Sequence, residues 1–452
     1  MKLPERPPDW LELVRTSSEP FQIVRDPEGR KIVQRANAEY WHWDQLRRRP
    51  SPKRWKREIV WAAVKLARTA QVHEIGLRST AGEPFWFWLP QHVLEILHEI
   101  DLGLAGTIGF NLPESASRDR QRYLVNSLME EAIASSQIEG AATTRKVAKE
   151  MLRSKRQPRT HGERMIVNNY RTIRMLSDLK DRPLSVDLIT EMQRSMTVGT
   201  LDNSDDEGRI RTARDHVRVV DGRDGEVLHN PPKARELPGR LESLCKFANH
   251  ESDTGFLHPV VRAILVHFWL AYDHPFVDGN GRTARALFYW LMLRNGYWMF
   301  EFLPISRIIN QAPVKYGRAF LYAESDESDA TYFIMFHLRA IRQALRDLHA
   351  YLDRRQEEIQ EARRLVRVFP NLNHRQVAVL REAVSDPRRE FTIAAHQSEY
   401  CVSYGTAYAD LTGLVKQRMM VRRRLQGRQW VFFADDDLAR RLRGPKRANR
   451  VP

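Results

Sequence analysis

The sequence of 452 residues predicts a mainly α-helical protein, and three features of its pattern predict this class. Apolar residues recur at helical spacing over most of the chain, most densely at 257–272 and 286–294. Strand patterns are confined to two short hairpin-like stretches, 217–229 and 420–433. Between the two densely apolar segments lies a glycine-containing loop that ends one helix and begins the next. We therefore expect a helical fold centred on this helix–loop–helix, with two β-hairpins.

Composition narrows the class of protein. Hydrophobic residues make up 42% of the chain, enough for substantial cores in two or three domains. Cys245 and Cys401 show no ligand spacing, which predicts a reducing compartment without a disulfide or zinc site. No apolar run reaches membrane-spanning length and the N-terminus lacks a signal-peptide core, so we expect a cytoplasmic protein without membrane contact. The net charge of +16 fits a nucleic acid, an acidic protein partner or a basic surface without a ligand.

The N-terminal region, 1–94, is expected to be helical and rich in tryptophan. Residues 1–35 contain many Pro and Arg residues and are expected to be partly irregular. Helices are predicted at 36–46, 51–69 and 92–100. Seven of the eleven tryptophans lie in the first ninety residues, which favours aromatic core packing here over a groove for a ligand or peptide.

The loop between the two apolar helices carries the unusual chemistry. It reads His-Pro-Phe-Val-Asp-Gly-Asn-Gly-Arg-Thr-Ala-Arg over 274–285. Gly279 and Gly281 let the backbone turn and point its N–H groups towards the N-terminus of the second helix, where an anion is favoured. Arg282 and Arg285 lie three residues apart and so share one helical face. Two guanidinium groups beside such N–H groups predict a polyphosphate site.

Two further side chains of this loop suggest catalysis. Asp278 offers a hard oxygen ligand that could hold Mg²⁺ against a phosphate. His274 is the group of the loop that can take up a proton near neutral pH. An ordinary glycine loop with a surface histidine would not need this combination, because eight of its positions fit a single phosphate site.

These residues resemble the signature of the Fic family, His-x-Phe-x-Asp/Glu-Gly-Asn-Gly-Arg-x-x-Arg, at every fixed position. The resemblance covers about 95–350 and implies a Fic-type helical bundle that transfers AMP from ATP, with Mg²⁺, to a Ser, Thr or Tyr hydroxyl of a protein. The target could be another protein or the enzyme itself. The resemblance implies these roles: His274 is the general base, Asp278 binds the metal, Gly279, Asn280 and Gly281 stabilise the α-phosphate, Arg282 and Arg285 hold the β- and γ-phosphates, and Phe276 points into the core.

A segment upstream of the loop resembles an inhibitory motif. Residues 118–152 predict one long helix, which contains Ser-Ser-Gln-Ile-Glu-Gly at 135–140. Ser135, Glu139 and Gly140 match the pattern Ser/Thr-x-x-x-Glu-Gly/Asn that one class of Fic proteins carries N-terminal to the core. In that class the glutamate pairs with the second motif arginine, here Arg285, in the space of the γ-phosphate. A carboxylate on that guanidinium competes with an anionic ligand, whereas a plain surface glutamate would not.

A hairpin and several helices surround the loop. Residues 217–220 and 226–229, separated by Asp-Gly-Arg-Asp-Gly, predict a β-hairpin. In Fic proteins a hairpin at this position, about 216–230 here, is the flap that grips the target segment by β-augmentation. A helix at 233–249 follows, and helices at 316–324 and 329–347 end the core. His258 and His267 are expected in the core, because no carboxylate or cysteine completes a metal site.

The C-terminal part predicts a separate module. A charged helical connector, 351–371, leads into a module at 372–440 and a basic tail at 441–452. Helices at 374–384, 391–399 and 404–417 with a hairpin at 420–433 resemble a winged helix-turn-helix. Such modules bind DNA or proteins or form dimers, so a DNA partner and a homodimer both stay open. The candidate DNA contacts are Tyr404, Thr406, Arg422, Arg423, Arg424 and Arg428.

Other functions remain compatible with the motif. The inhibitory glutamate could position water for removal of AMP, as in some family members, or the transferred group could be another nucleotide or phosphocholine. A kinase branch of the family departs from Gly-Asn-Gly-Arg, which this chain retains. A DNA-binding regulator whose core only senses nucleotide would need the arginines but would have no use for His274 and Asp278.

Overall fold

A computed structural model describes residues 2–50, 54–69, 72–104, 117–251, 255–368, 371–386, 389–424 and 430–438. The chain forms two compact units, 1–348 and 349–452. The described residues are mainly helical, which confirms the predicted class. The predicted Trp-rich region and the predicted core belong to the same unit. No helix in the described parts of the chain combines the length and apolarity needed to cross a bilayer.

Most of the stretch expected to be partly irregular, 1–35, is helical, although residues 2–9 have no regular secondary structure. Helices α1 (Trp10–Thr16), α2 (Glu19–Arg25) and α3 (Pro27–Glu39) occupy it. The carboxylate of Asp9 accepts the Glu12 N–H at 3.0 Å, and that of Asp26 caps α3 in the same way. Proline stands in the first turns of α2 and α3, where the missing N–H costs nothing. Helices α4 (Trp43–Leu46) and α5 (Arg57–Arg68) follow.

An unpredicted β-hairpin joins this region to the core. Strands β1 (His73–Arg78) and β2 (Pro84–Phe87) pair antiparallel and precede α6 (Gln91–Leu104). Tryptophans pack in the core as expected, and Trp41, Trp43 and Trp61 are buried in one cluster with residues of α3 and α5.

Buried polar contacts fasten the N-terminal region to a later part of the same unit. Lys65 pairs with Asp326 at 2.8 Å, although both side chains are essentially inaccessible. The Tyr40 hydroxyl donates to Asp329 at 2.7 Å, and Arg68 donates to the Tyr332 hydroxyl at 2.8 Å. Removing one partner of such a buried pair leaves an uncompensated charge, so these contacts make the docking specific.

The predicted helix at 118–152 is in fact two helices, α7 (Ser117–Ile138) and α8 (Arg145–Ser154). Gly140 adopts φ +92°, which ends the first helix in a turn, and Thr144 caps the second. Glu139 and Gly140 of the predicted inhibitory motif therefore lie just beyond the C-terminus of α7 rather than within a helix.

The rest of the first unit surrounds two buried helices, α12 (Pro259–Asp273) and α13 (Asn280–Arg294). The remaining elements are α9 (His161–Leu179), α10 (Val186–Thr197), β3 (Val219–Val220), β4 (Val227–His229), α11 (Leu237–Ala248), α14 (Ile305–Gln311), α15 (Pro313–Ser325) and the first part of α16 (Thr331–Val368), whose residues from 349 onward belong to the second unit. Short 3-10 helices cover Ser204–Asp206, Ala234–Glu236 and Trp298–Phe302. The helices expected at 329–347 and within the connector 351–371 form a single helix, α16.

The second unit contains three helices and a small sheet in its described residues. Its elements are α17 (His374–Ser385), β5 (Phe391–Thr392), α18 (Ile393–Tyr400), α19 (Tyr404–Lys416), β6 (Met420–Arg424) and β7 (Trp430–Ala434). The sheet has the order β5-β7-β6 and is antiparallel. The helix predicted at 391–399 begins two residues late, because Phe391 and Thr392 pair with β7. Arg428 and the basic tail 441–452 lie outside the described residues, and the winged helix-turn-helix stays a prediction.

Candidate active site

His274 stands where α12 ends and the loop begins. It adopts a left-handed conformation, φ +47°, and its N–H caps the helix on the Leu270 carbonyl. Its ring Nδ1 lies 3.0 Å from the Ala271 carbonyl. Since a carbonyl can only accept, Nδ1 carries the proton and Nε2 keeps its lone pair. Desolvation lowers the pKa of His274, which favours this neutral form. The side chain is thus prepared to accept a proton at Nε2.

Arg211 holds the loop from outside and was not singled out from the sequence. Its Nε donates to the His274 carbonyl at 2.7 Å and its Nη2 to the Pro232 carbonyl at 2.6 Å. Its backbone N–H donates to the Pro275 carbonyl at 2.8 Å. The segment before the hairpin is thereby tied to the catalytic loop. Because all three acceptors are backbone atoms, no residue type in the loop signals this contact.

Asn280 closes the loop on itself. Its side-chain amide donates to the Phe276 carbonyl at 2.8 Å, and its oxygen accepts the Phe276 N–H at 2.9 Å. Phe276 is fully buried, as expected for a residue that anchors the loop in the core. The Asn280 side chain is therefore engaged within the loop, so the predicted contact with a phosphate would use its backbone N–H.

The N-terminus of α13 presents an anion site. Gly279, at φ +83°, precedes the helix, and the first N–H groups, from Asn280 onward, have no partners within it. A Cβ added to Gly281 would collide with the Glu139 carboxylate. The glycine is therefore required for close approach of an anion, and in this structure the anion is the side chain of Glu139.

Arg282 and Asp278 meet as an ion pair. Nη2 of Arg282 lies 3.0 Å from Oδ2 of Asp278, and its Nη1 donates to the Met196 carbonyl at 3.1 Å. The guanidinium is buried, and this desolvation lowers the pKa of Arg282. The Asp278 side chain is 47% exposed, so its second oxygen remains accessible.

Gln193 of α10 holds the backbone of Asp278, the predicted metal ligand, and was also missed from the sequence. Its Nε2 donates to the Asp278 carbonyl at 2.9 Å, and its Oε1 accepts the Gly208 N–H at 2.5 Å. The residue is fully buried. One amide side chain therefore joins the catalytic loop to the segment that leads into the β3–β4 hairpin.

Arg285 carries the predicted inhibitory contact. Its Nη2 lies 2.9 Å from Oε1 of Glu139 and 2.9 Å from the Ser135 carbonyl, and its Nε donates to the Ser135 hydroxyl at 2.8 Å. Burial lowers the pKa of Arg285, but the Glu139 carboxylate more than offsets it and the net pKa is raised. Nη1 is buried and has no hydrogen-bond partner among the described residues. The structure thus brings Ser135, Glu139 and Arg285 together.

The β3–β4 hairpin is anchored beside His274. His229 at the end of β4 donates from Nε2 to the Tyr272 carbonyl at 2.8 Å, and its Nδ1 lies 2.8 Å from the Glu324 carboxylate. Burial lowers the pKa of His229, but the contact with Glu324 outweighs it and the net pKa is raised. The hairpin predicted as the flap is therefore held at the C-terminal end of α12, next to the catalytic loop.

Comparison with known proteins agrees with this geometry. Residues 183–292 match the family model described as Fic/DOC. The chain contains a Fic domain. It is 37% identical over 116 residues to the protein adenylyltransferase fic-1 of Caenorhabditis elegans, covering 25% of this chain and 20% of that protein. It is 44% identical over 88 residues to the protein adenylyltransferase Fic of Drosophila melanogaster, covering 18% of each. The chain therefore matches only about a fifth of the length of these relatives.

A solved structure shows that the similarity of fold extends beyond the Fic domain. A Fic family protein from Desulfovibrio desulfuricans G20 superposes with a TM-score of 0.52 at 19% identity. The match covers 77% of this chain and 97% of that one. At this identity it shows the fold alone.

The histidines and cysteines outside the Fic motif have no metal site in the described residues. His267 lies 2.9 Å from the Tyr316 hydroxyl and is buried, which lowers its pKa well below the usual range. His258 caps α12 through Nδ1. No group of three or more potential ligands forms among the described residues. Cys245 and Cys401 are both free.

The candidate DNA contacts of the second unit are partly exposed. Tyr404 is 60% exposed, and its ring stacks at 6.4 Å from that of Tyr408. The Thr406 hydroxyl is hydrogen-bonded to Ser403 at the start of α19. Arg422 and Arg424 of β6 lie over the Trp430 ring at 4.7 and 4.8 Å, and Arg423 lies over Phe433 at 5.9 Å. Their role in DNA binding stays a prediction.

Proposed function

We propose that this chain is a protein adenylyltransferase, which transfers AMP from ATP to a Ser, Thr or Tyr hydroxyl of a protein and is restrained by Glu139. One observation carries this proposal: a carboxylate lies against Arg285 and over Gly281, at the N-terminus of α13. An anion thus occupies the position that a phosphate would need. The printed names of the relatives, both protein adenylyltransferases, support the same activity.

The proposed reaction uses His274 as the general base. Its Nε2 takes the proton of the target hydroxyl while that oxygen attacks the α-phosphorus of ATP, and the bond to the leaving pyrophosphate breaks. The backbone N–H groups of Asn280 and Gly281 stabilise the charge that develops on the α-phosphate. Arg285, released from Glu139, and Arg282 hold the outer phosphates. Nη1 of Arg285, which has no hydrogen-bond partner within the described parts of the chain, provides a further donor for them.

The residues present fit Mg²⁺ in the form that nucleotide-dependent enzymes use. Asp278 offers one carboxylate, half-exposed and beside the anion site, and Mg²⁺ is commonly held by one or two carboxylates together with substrate phosphates. When bound, the ion would neutralise charge on the phosphates. Asp278 is paired with Arg282 in this structure, so we expect this contact to loosen when ATP binds.

The β3–β4 hairpin would present the target. Val220 is 50% exposed, and an extended peptide that pairs with this hairpin would be bound mainly through its backbone. Such binding suits an enzyme that modifies hydroxyls on loops, including loops of its own chain. We place this activity in the cytoplasm, in keeping with the two free cysteines. Removal of AMP, with Glu139 positioning water, remains the alternative for the same site.

Label transfer tests the proposal. The purified protein, Glu139→Gly and His274→Ala are incubated with ATP labelled at the α- or the γ-phosphate, and self-modification is measured. We expect label from the α position alone, stronger in Glu139→Gly and absent in His274→Ala. Glu150→Ala and His98→Ala, at exposed positions of α8 and α6, serve as matched controls and should behave as the parent. Label from the γ position would make the protein a kinase.

A second candidate function concerns the C-terminal unit. Tyr404 and Tyr408 of α19 are exposed, as are Arg422, Arg423 and Arg424 of β6, and aromatic and basic side chains of this kind suit contacts with duplex DNA. Filter binding at increasing salt tests this, since phosphate contacts predict a steep loss of affinity. Binding that is undetectable or insensitive to salt would exclude DNA and leave dimerisation or a protein partner.

A further inference from the structure

A groove separate from the active site lies between α7, α8 and α9 and has a volume of about 510 Å³. Apolar side chains form its floor: Val125 and Leu128 of α7, Leu152 of α8 and Tyr170 of α9. All four are half-buried, so they are accessible to a molecule that enters the groove. Small-molecule sites commonly have volumes of roughly 300–1,000 Å³.

The rim of the groove is cationic. Arg153, Lys155 and Arg174 are exposed there, against one carboxylate, Glu301. Glu301 is half-buried and already accepts a hydrogen bond from Ser177 at 2.8 Å. None of the three cations forms an ion pair within the described parts of the chain. Three positive charges and one negative charge leave the rim at +2, so an anion would meet cations that no carboxylate neutralises.

The groove is distinct from the catalytic loop, although it shares α7 with the inhibitory motif. Leu128 and Glu139 are 11 residues apart, which corresponds to about 16 Å along a helix at 1.5 Å per residue. The lining includes neither Ser135 nor any residue of the loop 274–285. The groove is therefore a separate site from that of the proposed AMP transfer.

We infer that this groove binds a small amphiphilic anion, a molecule with one apolar chain and a carboxylate or phosphate head. The chain would displace water from the floor, and the head would lie among Arg153, Lys155 and Arg174. A neutral apolar molecule would gain nothing from the rim. A highly charged anion such as a nucleotide would leave the apolar floor in contact with water.

Calorimetric titration of the full chain tests both halves of the inference. Octanoate, decanoate and dodecanoate are used below their micelle concentrations, with 1-octanol as the uncharged match for octanoate. Each step of two methylenes should tighten the Kd about 15-fold, since each buried methylene contributes roughly fourfold. Octanoate should bind about tenfold more tightly than 1-octanol, because only its head can pair with the rim. A matching alkyl phosphate reports whether the two head groups are equivalent.

Variants locate the site. Lys155→Glu and Arg174→Glu should each weaken decanoate about tenfold, and both change exposed side chains. Arg15→Glu, an exposed arginine of α1 outside the groove, should leave the affinity unchanged. Leu128→Gln should reduce the gain in affinity that each added pair of methylenes gives from octanoate to dodecanoate.

Four outcomes would overturn the inference. Equal affinity for octanoate and 1-octanol would remove the role of the cationic rim. Affinity that does not depend on chain length, or that survives both charge reversals, would place the anion elsewhere. Binding of an acidic amphipathic peptide but not of dodecanoate would make the groove a surface for a protein partner.

Discussion

Replacing Glu139 with glycine should raise the affinity for ATP and, at the same time, lower the stability of the unliganded protein. In the structure, the Arg285 side chain is 3% exposed and lies 2.9 Å from the Glu139 carboxylate. After the change, Arg285 keeps its hydrogen bonds to the Ser135 hydroxyl and carbonyl. The same contact therefore stabilises the unliganded state and competes with a phosphate.

The size of both effects follows from one hydrogen bond between charged groups, which contributes about 1.5–3 kcal/mol. If ATP no longer has to displace the Glu139 carboxylate from Arg285, it should bind roughly 10- to 150-fold more tightly. The free energy of unfolding of the unliganded protein should fall by a comparable amount, or by less because Ser135 continues to hold the guanidinium. For a unit of 348 residues we expect the Tm to fall by about 1–2 °C per kcal/mol lost.

Calorimetry with a non-hydrolysable ATP analogue and thermal unfolding with and without that analogue measure the two effects. Glu139→Gln should give an intermediate result, because the amide can still accept a hydrogen bond without the charge. Glu150→Ala controls for the loss of an exposed glutamate. If Glu139→Gly bound the analogue no better than the parent, or were more stable when unliganded, the competition argument would be refuted.

Three further changes probe the catalytic loop and the hairpin. His274→Ala should lower transfer at least about 100-fold while ATP still binds. Because the pKa of His274 is lowered, the residue stays neutral and the single-turnover rate of the parent should persist as the pH falls below 6.5. A rate that had already fallen to half its maximum above pH 7 would contradict this. Gln193→Leu leaves the Asp278 carbonyl without its donor, so the free energy of unfolding should fall by about 1–3 kcal/mol and transfer should need more Mg²⁺. An unchanged Tm, together with an unchanged midpoint in a magnesium titration of activity, would argue against this role. His229 has a raised pKa through Glu324, so this pair stabilises the fold fully below pH 6.5 and less as the pH rises through the raised pKa. Glu324→Gln should remove this component from a Tm–pH profile, and superimposable profiles would exclude it.

Local features of this chain were readable from the sequence. The loop 274–285 spans twelve consecutive residues between two apolar helices, so connectivity alone brings His274, Gly281 and Arg285 to one helix N-terminus. The buried helices α12 and α13 were evident from their apolar periodicity, as was the β3–β4 hairpin from its turn residues. The pairing of Glu139 with Arg285 spans 146 residues in sequence, and it was predicted only through the resemblance to a known family.

The helix boundaries that were predicted wrongly have local causes. Helices α1 and α2 are seven residues each, too short for periodicity to emerge among the prolines, although Asp9 caps the first of them. The break after Ile138 depends on a single glycine, Gly140, which a helix can also tolerate.

By itself, the sequence determined the helical class, the anion-binding loop and the identity of the groups that could do chemistry there, because these depend on neighbouring residues. Only the tertiary structure decided which distant side chains support them. Arg211 and Gln193 bind backbone atoms of the loop, and a backbone acceptor is the same at every residue, so nothing in the sequence marks such a contact. The groove beneath α7 is likewise a space left between three packed helices, and its shape depends on their distances rather than on any one segment.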